Sequence, residues 1–285
     1  MPEAALYLVG TPIGNLDDFA PRGVETLSGV AVVYAEDTRR TAVLFRRFDI
    51  GTSLRSLHSH NEASRCDEIL ELLAAGQACA LVTDAGAPGV SDPGARLVRS
   101  VSDAGFEVRT IPGPSAVTAA AGLSGFPVDR FLFLGFPPRK GRERAQWLGQ
   151  CAGSKETVIV FEAPGRLASL LDDWVSRGLG DRACCVCREL TKLHEEVRRG
   201  TVAALAEYYG REQVRGEVTL VLEAALDSEA ETPDLEAARH RAAALFRDGH
   251  GARAVSAALR EEFGLSRNDA YAVALAAGGE EGEGR

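Results

Sequence analysis

The stretch ACALVTDAGAPGVSDPG, residues 78–94, joins a short apolar run to a loop rich in glycine and proline. Comparable apolar runs occur on both sides of it, and stretches with the apolar spacing of helices separate them. Short strands that alternate with helices predict a mostly parallel sheet covered on both faces, which is an α/β domain. The predicted strands are Ala5–Val9, Val30–Tyr34, Ala78–Val82 and Glu107–Ile111.

One helix of this region is predicted over Asn61–Ala75, where Ile69, Leu72 and Leu73 share an apolar face. Gly76 follows at the position of a C-cap, where glycine takes the left-handed conformation without strain. The helix is therefore expected to end at this glycine.

A second set of apolar runs begins after the sequence Gly113-Pro114 and predicts a second α/β domain. An amphipathic helix is predicted over Leu167–Arg177, between two of its strands. The expected boundaries are residues 1–122 for the first domain and 123–226 for the second. The predicted strands of the second set are Phe131–Leu134, Val158–Phe161, Ala183–Cys187 and Val218–Leu222.

The C-terminal region has a different character. Asp227–Glu236 contains five acidic residues and no basic one, which is typical of a linker. Helices are predicted over Glu236–Arg247 and Ala252–Phe263, and a third begins near Ser266, whose spacing to Asp269 resembles a capping box. Three short helices predict a small helical domain over residues 234–280, similar to a helix-turn-helix.

The bulk composition excludes several classes of protein. With 285 residues, 45% of them hydrophobic and 26% charged, the chain can bury a full core. It has no apolar run long enough to cross a bilayer, and MPEAALYLVG lacks the features of a signal peptide, so we expect a cytoplasmic protein. The spacing of its six cysteines, including CCVC at 184–187, matches no recognised zinc pattern, and we predict neither a metal site nor a disulfide.

The formal net charge of −9 has the wrong sign for a protein that coats nucleic acid non-specifically. Local basic clusters nevertheless occur at 39–47, 139–144 and 198–199. Any binding of RNA is therefore expected to depend on such patches and on shape.

Four loops rich in glycine and proline follow predicted strands and indicate a ligand cleft. The carboxyl ends of parallel strands are where open α/β sheets bind ligands. No G-x-G-x-x-G or P-loop motif is present, and proline removes N–H donors that a phosphate cradle needs, so a ligand without phosphates fits better. The loops are 10–15, 84–89, 91–94 and 112–115.

Eight motifs stand in an order that is known from one group of enzymes. They are LYLVGTPIGNLDD, AEDTRRT, HNE, LVTDAGAPGVSDPG, IPGPSA, FLFLGFPPRK, RELTKLHEEVRRGT and GEVTLVLE. Over roughly residues 5–223 the chain resembles the ribosomal RNA small-subunit methyltransferase I family, within the tetrapyrrole-methylase-like group. The helical C-terminal region also resembles the helix-turn-helix domain appended in that family.

The resemblance implies two α/β domains with S-adenosylmethionine bound in the cleft between them. It also implies a homodimer that methylates the 2′-oxygen of a cytidine ribose in the decoding centre of 16S ribosomal RNA. The positions that match the family's donor pocket are Gly10, Pro12, Asp84, Ala85, Gly86, Pro88, Val90, Ser91, Ser115, Ala116, Glu162, Glu217 and Thr219.

The stretch FEAPGRL, residues 161–167, departs from the family's more usual ESPHRL, although Glu162 and Arg166 are kept. A ribose hydroxyl is a weak nucleophile, and a carboxylate that takes its proton would assist the reaction. Asp37 and Glu62 are the residues we expect in this role, because their polar clusters flank the predicted cleft. The phosphate contacts expected with RNA are Arg39, Arg40, Arg139, Lys140 and Arg142.

Two other functions remain open on the sequence. The first is a methyltransferase of the same fold that acts on a small molecule such as a corrin or porphyrin precursor. The appended helices and the arginine-rich motifs argue against it, since a small tetrapyrrole needs neither. The second is a non-catalytic module that binds the methyl donor and takes part in ribosome assembly.

Overall fold

The computed structural model describes residues 2–58, 61–225, 235–263 and 265–279. The chain divides into two compact units, Met1–Ala225 and Leu226–Arg285. Most of the acidic segment predicted as a linker, residues 227–234, lies outside the described residues.

The first sheet of the larger unit contains five parallel strands in the order β3-β2-β4-β1-β5. Its apolar side chains alternate between two separate clusters, one on each face, so the prediction of a parallel sheet covered on both sides is confirmed. The strands are β1 (Leu6–Val9), β2 (Val32–Ala35), β3 (Ser53–Ser56), β4 (Cys79–Val82) and β5 (Val108–Ile111). The helices that accompany them are α1 (Pro21–Gly29), α2 (Thr38–Arg47), α3 (Glu62–Ala74) and α4 (Ala95–Asp103).

The second sheet of the same unit is mixed, with the order β6-β7-β10-β8-β9. Only the pair β6 and β7 is parallel, and the other three pairs are antiparallel. The strands are β6 (Phe131–Phe133), β7 (Thr157–Glu162), β8 (Ala183–Arg188), β9 (Glu196–Thr201) and β10 (Val218–Leu222). The helices are α5 (Ala116–Ser124), α6 (Gly141–Gly153), α7 (Leu167–Trp174) and α8 (Val202–Tyr209).

Helix α5 leads from the first sheet to the second and packs against β7, β8 and β10. Ala120 and Ala121 are buried in the same apolar cluster as Ile159, Cys185 and Val221 of the second sheet. Small side chains on a helix let it approach a sheet closely. The chain thus passes from one sheet to the other through a shared core.

The predicted helix over Leu167–Arg177 is shorter in the structure. It ends as an α-helix at Trp174, and a single wider turn follows over Val175–Leu179, where Gly178 has a φ of 80°. A left-handed residue interrupts the α-helical hydrogen bonding, which sequence periodicity does not reveal.

The smaller unit contains α9 (Leu235–Arg247), α10 (Ala252–Phe263) and α11 (Arg267–Gly279) around an apolar core of its own. Ser266 caps α11, since its Oγ accepts from Asp269 N at 3.1 Å and donates to Asp269 Oδ2 at 2.6 Å. No helix in the described ranges combines the length and the hydropathy that a bilayer span requires.

Candidate active site

A cavity of about 380 Å³ lies where the carboxyl ends of β2, β4 and β5 meet the end of β7 and the start of β10 in the second sheet. Strands β7 and β10 are antiparallel, and Glu162 pairs with Val218, so the end of β7 lies beside the start of β10. For that reason residues distant in sequence form one wall. From the first sheet the lining includes Glu36, Arg40, 84–87, 90–92 and 115–117, and from the second it includes Phe136, 161–164 and 216–219.

On the side of the first sheet, the cavity is supported by stretches of main chain that pack against each other. Thr11 and Gly86 exchange two backbone hydrogen bonds, of 2.9 and 3.1 Å, and Gly86 has a φ of 89°. A Cβ placed on Gly10 would lie only 2.7 Å from Gly113 N. Gly10 is required because one backbone passes directly against another, and Gly86 is required because of its left-handed φ.

Most residues matched to the donor pocket lie around this cavity. Pro12 lines a neighbouring cavity of about 250 Å³ instead, and neither cavity has Gly10 or Pro88 in its lining. Gly10 has a structural part in the wall, as its contact with Gly113 indicates. The ten residues in the lining are Asp84, Ala85, Gly86, Val90, Ser91, Ser115, Ala116, Glu162, Glu217 and Thr219.

Three carboxyl groups from adjacent strand ends enter the cavity: Glu36 after β2, and Asp84 and Asp92 after β4. Burial raises the pKa of Asp92 to about 6, and the charges of Glu36 and Asp84 add to the effect. Burial followed by the charge of Asp84 also raises the pKa of Glu36, while Arg40 and His58 oppose it. The cavity therefore holds carboxyl groups that exchange a proton nearer to neutrality than an ordinary carboxyl.

Glu162 is the most deeply buried acid of the site, with a side chain that is 0% exposed. Its Oε1 accepts a hydrogen bond of 2.8 Å from Ala163 N, whereas its Oε2 has no hydrogen-bond partner among the described residues. Arg166 Nη2 lies 3.3 Å from Oε2, and burial raises the pKa of this carboxyl. A buried oxygen that lacks a donor is suited to receive one from a ligand.

The two acids predicted from the sequence as proton acceptors are engaged elsewhere. Asp37 caps α2 and accepts from Arg39 N at 2.9 Å, Nε at 3.0 Å and Nη2 at 2.8 Å. The hydrogen bonds from the Arg39 side chain, then its backbone, lower the pKa of Asp37 to about 2. Glu62 begins α3, and its Oε1 lies 3.4 Å from Leu97 N. Neither carboxyl is part of the cavity lining.

The sequence and the structure of this chain match known proteins. The model of the tetrapyrrole (corrin/porphyrin) methylases matches residues 5–206. The chain belongs to the tetrapyrrole methylase family. Like the other members, it is a methyltransferase.

Two relatives resemble this methylase over most of its length, and both are called ribosomal RNA small subunit methyltransferase I. The one from Synechocystis sp. is 43% identical over 270 residues, which cover 95% of this chain and 97% of the relative. The one from Thermotoga maritima is 44% identical over 217 residues, or 76% of this chain and 97% of the relative. A crystal structure of diphthine synthase shares the fold, with a TM-score of 0.61 at 16% identity over 77% of this chain and 89% of that one.

Ionic contacts surround the rim of this methylase's cavity, and Arg40 joins the two sheets there. Arg40 Nη1 lies 3.0 Å from Asp84 Oδ2, and its Nη2 lies 3.7 Å from Glu217 Oε1. Lys192 Nζ contacts Glu217 at 3.1 Å and Glu189 at 2.8 Å. Arg40, predicted as a phosphate contact, thus has partners within the protein.

The other predicted RNA contacts are on the surface of the methylase. The Arg39 side chain is 89% exposed although it pairs with Asp37. Arg139, Lys140 and Arg142 are exposed at the start of α6. These three cations follow Phe136, a cavity residue that the sequence analysis did not single out. The sequence signal that could have identified Phe136 is its position in FLFLGFPPRK, directly before prolines and basic residues.

Proposed function

We propose that this methylase transfers a methyl group from S-adenosylmethionine to the 2′-oxygen of a cytidine ribose in 16S ribosomal RNA of the small subunit. The observation that carries the proposal is a cavity lined from both sheets in a chain that aligns over 95% of its length with a small-subunit RNA methyltransferase. By contrast, the solved structures of a uroporphyrin-III-C-methyltransferase and of a cobalt precorrin-4 methyltransferase are each 18% identical to this chain.

The lining of the cavity fits an adenosyl amino acid. Its carboxylates can accept hydrogen bonds from an ammonium group, and Phe161 and Val90 offer apolar surface to a nucleoside base. Glu162 adds a buried oxygen with an unused acceptor position. The residues proposed to hold the donor are Asp84, Ala85, Gly86, Val90, Ser91, Ser115, Ala116, Glu162, Glu217 and Thr219. Gly10, Pro12 and Pro88 are proposed to shape the surrounding loops.

When bound, S-adenosylmethionine supplies a methyl carbon that its sulfonium makes electrophilic. The protein has to orient the ribose, exclude water and receive a proton from the 2′-hydroxyl. We assign the proton to the carboxyl group of Asp92, which lines the cavity and whose pKa is raised by burial and by the charges of Glu36 and Asp84. The O–H bond of the ribose breaks as the proton passes to a carboxylate oxygen of Asp92.

Asp37 and Glu62 remain proposals of lower rank for the same role. Asp37 would have to leave the guanidinium of Arg39, and its lowered pKa makes it a weak base. Glu62 would have to leave Leu97 N and turn towards the cavity. The turnover rates of Asp37→Asn, Glu62→Gln and Asp92→Asn distinguish these assignments, because only loss of the proton acceptor should slow methyl transfer strongly.

The deciding experiment is transfer of labelled methyl from S-adenosylmethionine to small ribosomal subunits that lack the modification. We expect one labelled cytidine, whose 3′ linkage resists alkaline cleavage because its 2′-oxygen is blocked. Label on a base instead of a ribose would contradict the proposed acceptor. Transfer to a corrin or porphyrin precursor but not to subunits would favour the small-molecule alternative, and donor binding without transfer would favour the non-catalytic one.

The proposal also includes the partners and the setting. Exposed cations are expected to contact RNA phosphates, and they are Arg39, Arg139, Lys140 and Arg142, with Arg40 at the rim of the cavity. A homodimer in the cytoplasm, where ribosomal subunits are found, completes it. Light scattering on the purified protein tests the dimer, because the measured mass should be twice that of one chain.

A further inference from the structure

Phe136 is an aromatic side chain that lines the cavity and still exposes 57% of its surface. Its ring centroid lies 5.4 Å from that of Phe161, which in turn packs edge-on against Phe133 at 5.0 Å. The Phe136 ring is thus in contact with a row of aromatic rings, and more than half of its surface faces solvent.

The segment that carries Phe136 is held in place by hydrogen bonds on both sides of the ring. On one side, Gly135 O accepts from Phe161 N at 2.9 Å. On the other side, Arg166 Nη2 donates to Pro137 O at 3.2 Å. Arg144 Nη1 donates to Pro138 O at 2.9 Å, while its Nη2 and Asp173 are 2.6 Å apart. The exposure of the ring is consequently built into the fold, because its backbone is fixed on either side.

This segment also lies against the loop of the first sheet. A Cβ on Gly135 would lie 3.3 Å from Ser91 Oγ, and Gly135 has a φ of 58°. Ser91 is in the same loop as Asp92, the proposed proton acceptor. Phe136 is therefore an exposed part of the cavity lining on the side of the loop that carries Ser91 and Asp92.

The residues that follow are basic and exposed: Arg139, Lys140 and Arg142. An exposed aromatic ring beside cations is the arrangement with which proteins hold an unpaired nucleotide, since the base stacks on the ring and the phosphates meet the cations. An unpaired nucleotide also requires such a partner, because it loses its own stacking when it enters an enzyme cavity.

We propose that Phe136 stacks on the base of the acceptor nucleotide and so presents its ribose to Asp92. This inference rests on the proposed function, and it adds a positioning residue to it. Stacking depends on the flat face of the ring and is tolerant of base identity. The ring therefore supplies affinity and orientation for the nucleotide, but not selection of one base over another.

The test compares Phe136→Leu, which keeps apolar bulk but removes the flat ring, with Phe136→Tyr, which keeps the ring. We expect Leu to raise KM for unmodified small subunits about tenfold. We expect Tyr to stay within about twofold of the wild type, and the Kd of S-adenosylmethionine, measured by calorimetry, to be unchanged in both variants. Val175→Ala serves as the control, because Val175 is an exposed apolar residue outside the cavity lining.

Three results would overturn the inference. They are a wild-type KM in Phe136→Leu, an equal loss in Phe136→Leu and Phe136→Tyr, and a raised Kd for the donor with an unchanged KM for subunits. The last result would assign the ring to the donor's adenine. If the wild-type protein methylates subunits and any of these results is found, only the role of Phe136 fails. If the wild-type protein does not methylate subunits, the proposed function itself fails.

Discussion

The carboxyl group of Asp92 gives the proposed reaction a measurable pH dependence. With a pKa of about 6, it is about 24% ionised at pH 5.5 and about 97% ionised at pH 7.5. A general base acts only when it is ionised, so kcat/KM of the wild type is expected to fall about fourfold when the pH is lowered from 7.5 to 5.5. Asp92→Asn should lower kcat by roughly 10²-fold or more and should remove this acidic limb.

The same substitution has an expected effect on stability, with a definite sign. The pKa of Asp92 is raised in the folded protein, so the folded state binds more protons, and the destabilisation is complete above about pH 6 and relieved as the pH falls through that value. The shift of about two units corresponds to about 3 kcal/mol, which solvent screening of a half-buried group reduces to about 1 kcal/mol. Asp92→Asn should therefore raise Tm by about 2–4 °C at pH 8, and by less at pH 5.

Single-turnover methyl transfer from pH 5.5 to 8.5, with donor affinity measured at each pH, provides the assay. Asp103→Asn is the matched control, because Asp103 is an exposed carboxylate outside the cavity lining whose ionic partner is Arg99. An acidic limb that persists in Asp92→Asn, or a Tm that falls at pH 8, would refute the reasoning about this carboxyl group.

Three further experiments test the site and its surroundings. Glu162→Gln should raise the Kd of S-adenosylmethionine, measured by calorimetry, about tenfold. It should not lower Tm, because it removes a buried charge. An unchanged Kd would count against the place of Glu162 in the donor pocket. Gly10→Ala should cost about 1–3 kcal/mol in urea unfolding, because its Cβ meets backbone at 2.7 Å, whereas Gly51→Ala, with open space, should be near neutral. Charge reversal of Arg139 and Lys140 should raise KM for subunits and flatten its salt dependence at constant donor Kd; an unaltered salt slope would contradict phosphate contacts.

Strand positions were predictable where the strands are apolar. The predicted limits of the first-sheet strands lie within one or two residues of those observed, and Val218–Leu222 is the same in both. Two edge strands escaped prediction. Ser53–Ser56 has a single large apolar residue, and Glu196–Thr201 carries charged side chains on a half-exposed strand, so neither has the apolar run of a central strand.

For the site, the sequence predicted the loops and the ligand, but not the roles of several side chains. The loops were found because glycine and proline mark backbone that turns at strand ends, and the family resemblance supplied the ligand. The roles of Glu36, Asp92 and Phe136 depend on burial and neighbours that come together only in the folded chain. Asp37 had an alternative explanation in the sequence itself, since an aspartate directly before a helix is a common N-cap.

The close passage of Gly10 against Gly113 has a consequence for how such a pocket changes over time. Where main chain meets main chain, almost no side chain is available through which substitution can alter the chemistry. New acceptor preferences therefore have to arise where side chains face the cavity, as those of Asp92, Phe136 and Glu162 do. In this architecture the backbone contact is fixed by geometry, and the side chains around it are open to adaptation.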